Sequence, residues 1–195
     1  MNPHRISVKY FLEDPKGPDQ ALAIPVFHSW IQSAKVPGLL IDVADYRHMV
    51  DGPGVMLIGH DVDYAIDTAG GQAGMLHVRK RDRQTDIDTK LAKAFYAVIS
   101  ACRHLEQEQT LGSPQFKTDQ AVVSFLDHLQ TPNDQQMLEK VSGSVQAFAS
   151  RLYDQNTVEL EHVSQRPVDP LAIRISASDA PPLDTLLERL SAAVA

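Results

Sequence analysis

The chain has a single cysteine, Cys102, among its 195 residues, which excludes an internal disulfide and a cysteine-ligated zinc site. Long apolar runs are missing: the longest uninterrupted stretches are a few residues, far short of the roughly 20 needed to span a bilayer. The start, Met1-Asn2-Pro3-His4-Arg5, meets Lys9 and Glu13 before any apolar run develops, unlike a secretory signal. Positive charge is scarce, with 18 Lys and Arg against 25 Asp and Glu, for a net charge of −7. That balance argues against a general nucleic-acid binder, whose affinity rests on cancelling phosphate charge.

Catalytic and phosphate-binding signatures are also lacking. Gly52-Pro53-Gly54 has no third glycine and leads into a strand pattern, and Gly70-Gly71-Gln72-Ala73-Gly74 has no Gly-Lys-Ser/Thr. There is no Gly-x-Ser-x-Gly elbow, no His-Glu-x-x-His and no EF-hand loop. An aromatic-stacking RNA sheet is disfavoured, since the central strands offer only Tyr46 and Tyr64 as platforms. What is present is an ordinary globular balance of 43% hydrophobic and 22% charged residues. The expectation is a soluble cytoplasmic protein with no membrane association.

Hydrophobic periodicity organises the chain. Ile6, Val8, Tyr10 and Leu12 alternate as in a half-buried strand. Phe27, Trp30, Ile31 and Ala34 fall at helical spacing after Pro25, and Pro37-Gly38 stops that helix. Strands are expected over 39–46, over one long run from Val55 to Asp67, and from Met75 to Arg81. The last two join as an antiparallel hairpin through Ala69–Gly74. Thr85 reads as the N-cap of a long helix whose apolar stripe includes Leu91, Phe95, Val98 and Cys102. Beyond Gly112-Ser113-Pro114 come a strand at Val122–Leu126, a helix capped by Asn133, strands over 157–163 and 171–176, and a last helix after Pro181-Pro182.

These elements predict an α+β protein with helices packed on one face of an antiparallel sheet. The recurring order suggests an internal pseudo-duplication of a β-α-β-β unit. The corresponding division is a first lobe, 1–112, and a smaller lobe, 113–195; the alternative is one continuous domain.

Functional side chains concentrate in one region. Asp42, Asp45, Asp51, Asp61, Asp63 and Asp67 lie within 26 residues with His48, His60 and Arg47, followed by His77, Arg79, Lys80, Arg81 and Arg83. Centring the hairpin on Gly71 sets Asp63 opposite Arg79, Asp61 opposite Arg81 and Ala65 opposite His77. The plainest reading is a cross-strand ladder of opposite charges, worth roughly 0.2–1 kcal/mol per pair. Another is an anion or polar-ligand site using His77, Arg79 and Arg81, with His28 closing it from the first helix. The third is a divalent cation on Asp61 and Asp63. All three depend on register, because a slip by one residue inverts every facing.

His60 and Tyr64 share one side of the long strand in this reading, either as a satisfied core pair or as a general acid and base. His104 and His128 show no spacing logic, His162 reads as a strand-end core residue, and Cys102 as inert core. The basic run 79–83 lies just before a helix N-terminus, where free N–H groups favour anions.

Two functions follow. One is a non-enzymatic binding or assembly protein, with a polar or anionic ligand on strands 55–81 and a homodimer as a possible assembly. The other is a metal-dependent enzyme acting on a small anionic substrate, with Asp61 and Asp63 holding the cation and His60 or Tyr64 moving a proton. The first is the simpler reading.

Overall fold

The computed structural model describes residues 3–49, 52–82, 85–154, 158–164 and 166–194. Asp51, Arg83 and Thr157 therefore lie outside the described residues. The chain is α+β, with four α-helices and one antiparallel sheet among the described residues. The strands are β1 (Ile6–Leu12), β2 (Leu40–Asp45), β3 (Val55–Gly59), β4 (Val62–Asp67), β5 (Gly74–Arg79), β6 (Phe116–Phe125), β7 (Glu159–His162) and β8 (Leu171–Ser176). The helices are α1 (Ala23–Ser33), α2 (Ile87–Glu106), α3 (Gln135–Tyr153) and α4 (Leu183–Val194). Sheet order is β2-β3-β4-β5-β1-β6-β8-β7, so strands from both sides of Gly112 pair directly, β1 with β6. No helix among the described residues is long and apolar enough to cross a membrane.

Alternation decides which face each strand residue meets. Ile6, Val8 and Tyr10 stand beside Phe125, Val123 and Ala121 on one side and Arg79, His77 and Met75 on the other. This row is the floor of the core, and the helices cover it. Tyr10 meets Phe95 of α2 edge to face at 6.1 Å, Phe95 meets Phe148 of α3 at 4.8 Å, and the Tyr10 and Tyr153 hydroxyls lie 3.0 Å apart. Cys102 is buried in this layer, and burial pushes its thiol up, so it is inert core as its spacing implies.

Three local expectations are corrected. Asp86, not Thr85, caps α2 by accepting from the Thr89 amide at 2.9 Å, and Asp134, not Asn133, caps α3 by accepting from Met137 at 2.8 Å. Asn133 instead bonds the exposed His162 at 2.7 Å; that histidine belongs to the short edge strand β7, which no outer neighbour covers.

The largest correction concerns the run from Val55 to Asp67, which is two strands. β3 and β4 fold back through His60 and Asp61, with Ile58 opposite Asp63. Neither turn residue takes positive φ, so the turn carries none of the usual glycine or asparagine marks. Its neighbours hold it: the His60 amide donates to Leu39 O at 2.8 Å, and Lys80 donates from its amide to Asp61 O at 2.8 Å and from Nζ to Gly59 O at 2.6 Å. Only glycine fits at 59, where a Cβ would sit 2.6 Å from Val62 O and 2.9 Å from Leu39 O.

The β4–β5 hairpin forms, but one residue out of the expected register: Tyr64 pairs with His77, Asp63 with Val78 and Val62 with Arg79. Gly70 and Gly71 both take φ of 70°, so the apex lies between them and not on Gly71. His77 and Arg79 therefore turn toward the helices, while Asp63 and Asp67 turn to the face without them. The predicted ladder of Asp61 and Asp63 against Arg81 and Arg79 does not form. Asp63 pairs instead with Lys80 at 2.9 Å, and Arg79 with Asp82 at 3.0 Å.

On the helix-free face, Lys9 Nζ donates to Asp67 Oδ2 at 2.5 Å and to Gln72 O at 2.7 Å. Both side chains are nearly sealed, so this pair behaves as a buried one. Asp67→Ala is expected to cost about 3 kcal/mol in urea unfolding by leaving a buried ammonium uncompensated. Replacing both partners, Lys9→Met with Asp67→Leu, should be milder. A loss for Asp67→Ala no larger than the roughly 0.5 kcal/mol of a surface change would contradict the pairing.

Candidate functional site

Three neighbouring strands end at one edge of the sheet: β1 begins there, and β5 and β6 finish there. Two backbone bonds tie the continuing chain together, Asp82 N to His4 O and Leu126 N to Arg5 O, each at 3.0 Å. The N-terminal turns of α2 stand over the same edge. Between them is an open cleft of about 980 Å³. Its walls include Arg5, Arg79, Lys80, Arg81 and Lys93, with His4 and His128, against only two carboxylates, Asp82 and Asp127.

The two carboxylates do not neutralise the five cations. Asp82 takes Arg79, and Asp127 lies 3.5 Å from His4. Lys80 reaches away to Asp63. Among the described residues, Arg5, Arg81 and Lys93 have no ion-pair partner. Burial opposes the charge on Asp82, but hydrogen bonds from Thr85 and the Arg79 guanidinium outweigh it and hold the carboxyl at about 2. Asp82 thus stays ionised and fixes Arg79 at the cleft wall.

A second cavity of about 360 Å³ lies beside the cleft and shares Arg79 and Lys93 with it. His77 borders this cavity. It is fully buried, and neither ring nitrogen has a hydrogen-bond partner among the described residues. Its ring is 4.7 Å from that of Tyr64, whose hydroxyl donates to Pro37 O at 2.7 Å and not to the histidine. Burial, helped by the charge of Arg79, lowers the imidazole to about 3, so it is neutral at physiological pH.

The sequence-predicted residues fare unequally. Arg79 and Arg81 share the cleft, and His77 borders the adjoining cavity. His28 is exposed on α1 and lines neither. His60 and Tyr64 are not partners: His60 is exposed on the turn, 3.7 Å from Asp61, while Tyr64 faces the core. Asp61 sits in the β3–β4 turn and Asp63 on β4, and Asp63 already accepts from Lys80 and, at 3.2 Å, from the Gly59 amide. No group of three or more His, Cys, Asp or Glu among the described residues is placed to hold a metal ion. His104, half-buried, stacks edgewise on Trp30 at 6.1 Å.

Sequence reasoning missed His4, Arg5, Lys93, Asp127 and His128. These come from strand ends and one helix far apart in the chain, and only the sheet order brings them to one edge. The basic run ahead of α2 was the one visible signal.

No family model, curated protein or solved structure matches this chain.

His77 supplies a direct check on this geometry. The unfolded chain binds a proton near the ordinary histidine value of 6.5, which the folded chain refuses until about 3. Stability is therefore expected to fall as pH drops below 6.5, by about 2 kcal/mol at pH 5. Urea unfolding from pH 7 to pH 5 should show about 2 kcal/mol more loss in the wild type than in His77→Phe, which keeps the contribution of His104, also lowered by burial. Parallel profiles would mean the imidazole is not held neutral.

Proposed function

We propose that the protein binds a small anionic ligand in the cleft at the β1–β5–β6 edge. The observation that carries this reading is the convergence of five cations, three of them without ion-pair partners among the described residues, in a chain of net charge −7. A long polyanion would feel the whole acidic molecule. A small anion feels only charges within the Debye length of about 8 Å, and a cleft focuses that local field. Arginine forks at Arg5, Arg79 and Arg81 suit phosphate or carboxylate oxygens. The alternative, metal-dependent catalysis through Asp61, Asp63 and His60, has weaker support, because Asp63 is held by Lys80 and the other two stand on an exposed turn.

Thermal unfolding with inorganic phosphate, at ionic strength matched by sodium chloride, tests the reading. Saturable stabilisation is expected, amounting to about 2.7 kcal/mol at a hundred times Kd. Arg81→Glu should weaken it about tenfold or more, since it replaces attraction by repulsion. No saturable shift, or a shift indifferent to Arg81→Glu, would remove this function.

A second copy of the chain is the occupant that suits the uncovered sheet face. Met56, Ile58, Leu76, Val78 and Val122 stand half-buried on it. Three of its charge pairs are matched internally, Lys9 with Asp67, Lys80 with Asp63 and Arg174 with Glu161, and the carboxylates Asp42 and Glu159 stand toward its two outer strands, so the middle of the face carries little net charge. Eight strands about 4.8 Å apart and about six residues long present roughly 780 Å², near the ~800 Å² each partner gives to a standard interface. Sedimentation is expected to show a dimer that Val78→Glu dissociates; a monomer at all concentrations would contradict this assembly.

A further inference from the structure

We propose that the ligand is an aryl phosphate or a molecule of that kind: a phosphate-class anion in the basic cleft, joined to a flat, mostly apolar body that enters the adjoining cavity and meets His77. This rests on the anion-binding reading of the cleft and extends it to the rest of the ligand. The two cavities share Arg79 and Lys93 as a common wall, so one molecule can reach from the first into the second. Their chemistry changes across that wall. The first is bounded by exposed and half-buried cations; beyond the shared Arg79 and Lys93, the second is bounded mostly by apolar groups, Pro37, Leu39, Val62, Tyr96 and Ala97, with Asp61 as its one carboxylate. At about 360 Å³ the second has ample room for a six-membered ring, since an apolar cavity of roughly 150 Å³ accepts benzene.

His77 gives this cavity its selectivity. A neutral imidazole offers one donor and one acceptor, and here both lack a partner among the described residues. The neighbouring groups do not supply one. Val8 beside it on β1 is apolar, and the Tyr64 hydroxyl is directed to Pro37 O. Phenylalanine would fill the same place without two unsatisfied nitrogens. Buried polar groups normally find partners, so a hydroxyl or ring nitrogen on the ligand body is the partner this site lacks.

The test compares inorganic phosphate, phenyl phosphate and 3-hydroxyphenyl phosphate by titration calorimetry, with the histidine ring nitrogens followed by ¹⁵N NMR in the wild type. Phenyl phosphate is expected to bind about tenfold tighter than inorganic phosphate by burying its ring. The hydroxyl should add a further gain that His77→Phe abolishes, and the His77 nitrogen signals should move with the hydroxylated probe. The NMR readout needs no variant, so it stands even where His77→Phe folds poorly. Inorganic phosphate binding as tightly as both esters, with the His77 signals unmoved, would overturn the inference and leave the cleft intact. If none of the three binds, the anion-binding reading falls, and this inference with it.

Discussion

The register of the β4–β5 hairpin is the constraint on which the site depends. With the turn apex between Gly70 and Gly71, Tyr64 faces His77 and Val62 faces Arg79. A shift by one residue would exchange the faces. His77 and Arg79 would then join the solvent side with the carboxylates, and the cation at the wall between the two cavities would be lost. The glycines set this parity because both adopt the left-handed φ that other residues resist.

From that register follows a division of labour between the two sides of the sheet. Asp63 and Asp67 turn to the helix-free face, where Lys80 and Lys9 neutralise them. Cations at the end of β5 stay on the other side and meet those arriving from β1 and α2. An acidic chain thereby keeps one basic concavity, because its aspartates on the neighbouring strands are engaged elsewhere. Asp82 is the exception that helps: it orients Arg79 without cancelling Arg5, Arg81 and Lys93, which have no ion-pair partner among the described residues.

Much of the architecture is legible in residue patterns. Period-two alternation in β1 and β8, and the apolar stripes of α2 and α3, announce themselves because each element buries one side. The His60-Asp61 turn does not. Its φ angles are ordinary and its support comes from Leu39 and Lys80, so its one local mark is Gly59, which a bulge in a continuous strand explains equally well, and β3 and β4 read as a single strand. Each cap lies one residue beyond the position its pattern suggests, because Thr85-Asp86 and Asn133-Asp134 each offer two adjacent capping side chains. In the candidate site, Arg79 and Arg81 stood out as a charge run and His77 as their neighbour. Arg5 and Lys93 did not, since nothing short of the strand order brings residue 5 beside residue 81.

The hairpin register can be read directly in solution. Nuclear Overhauser contacts between the rings of Tyr64 and His77, together with backbone contacts pairing Asp63 with Val78, are the expected result. Contacts pairing Asp63 with Arg79 and Ala65 with His77 would contradict it, and would dismantle the basic edge built upon that register.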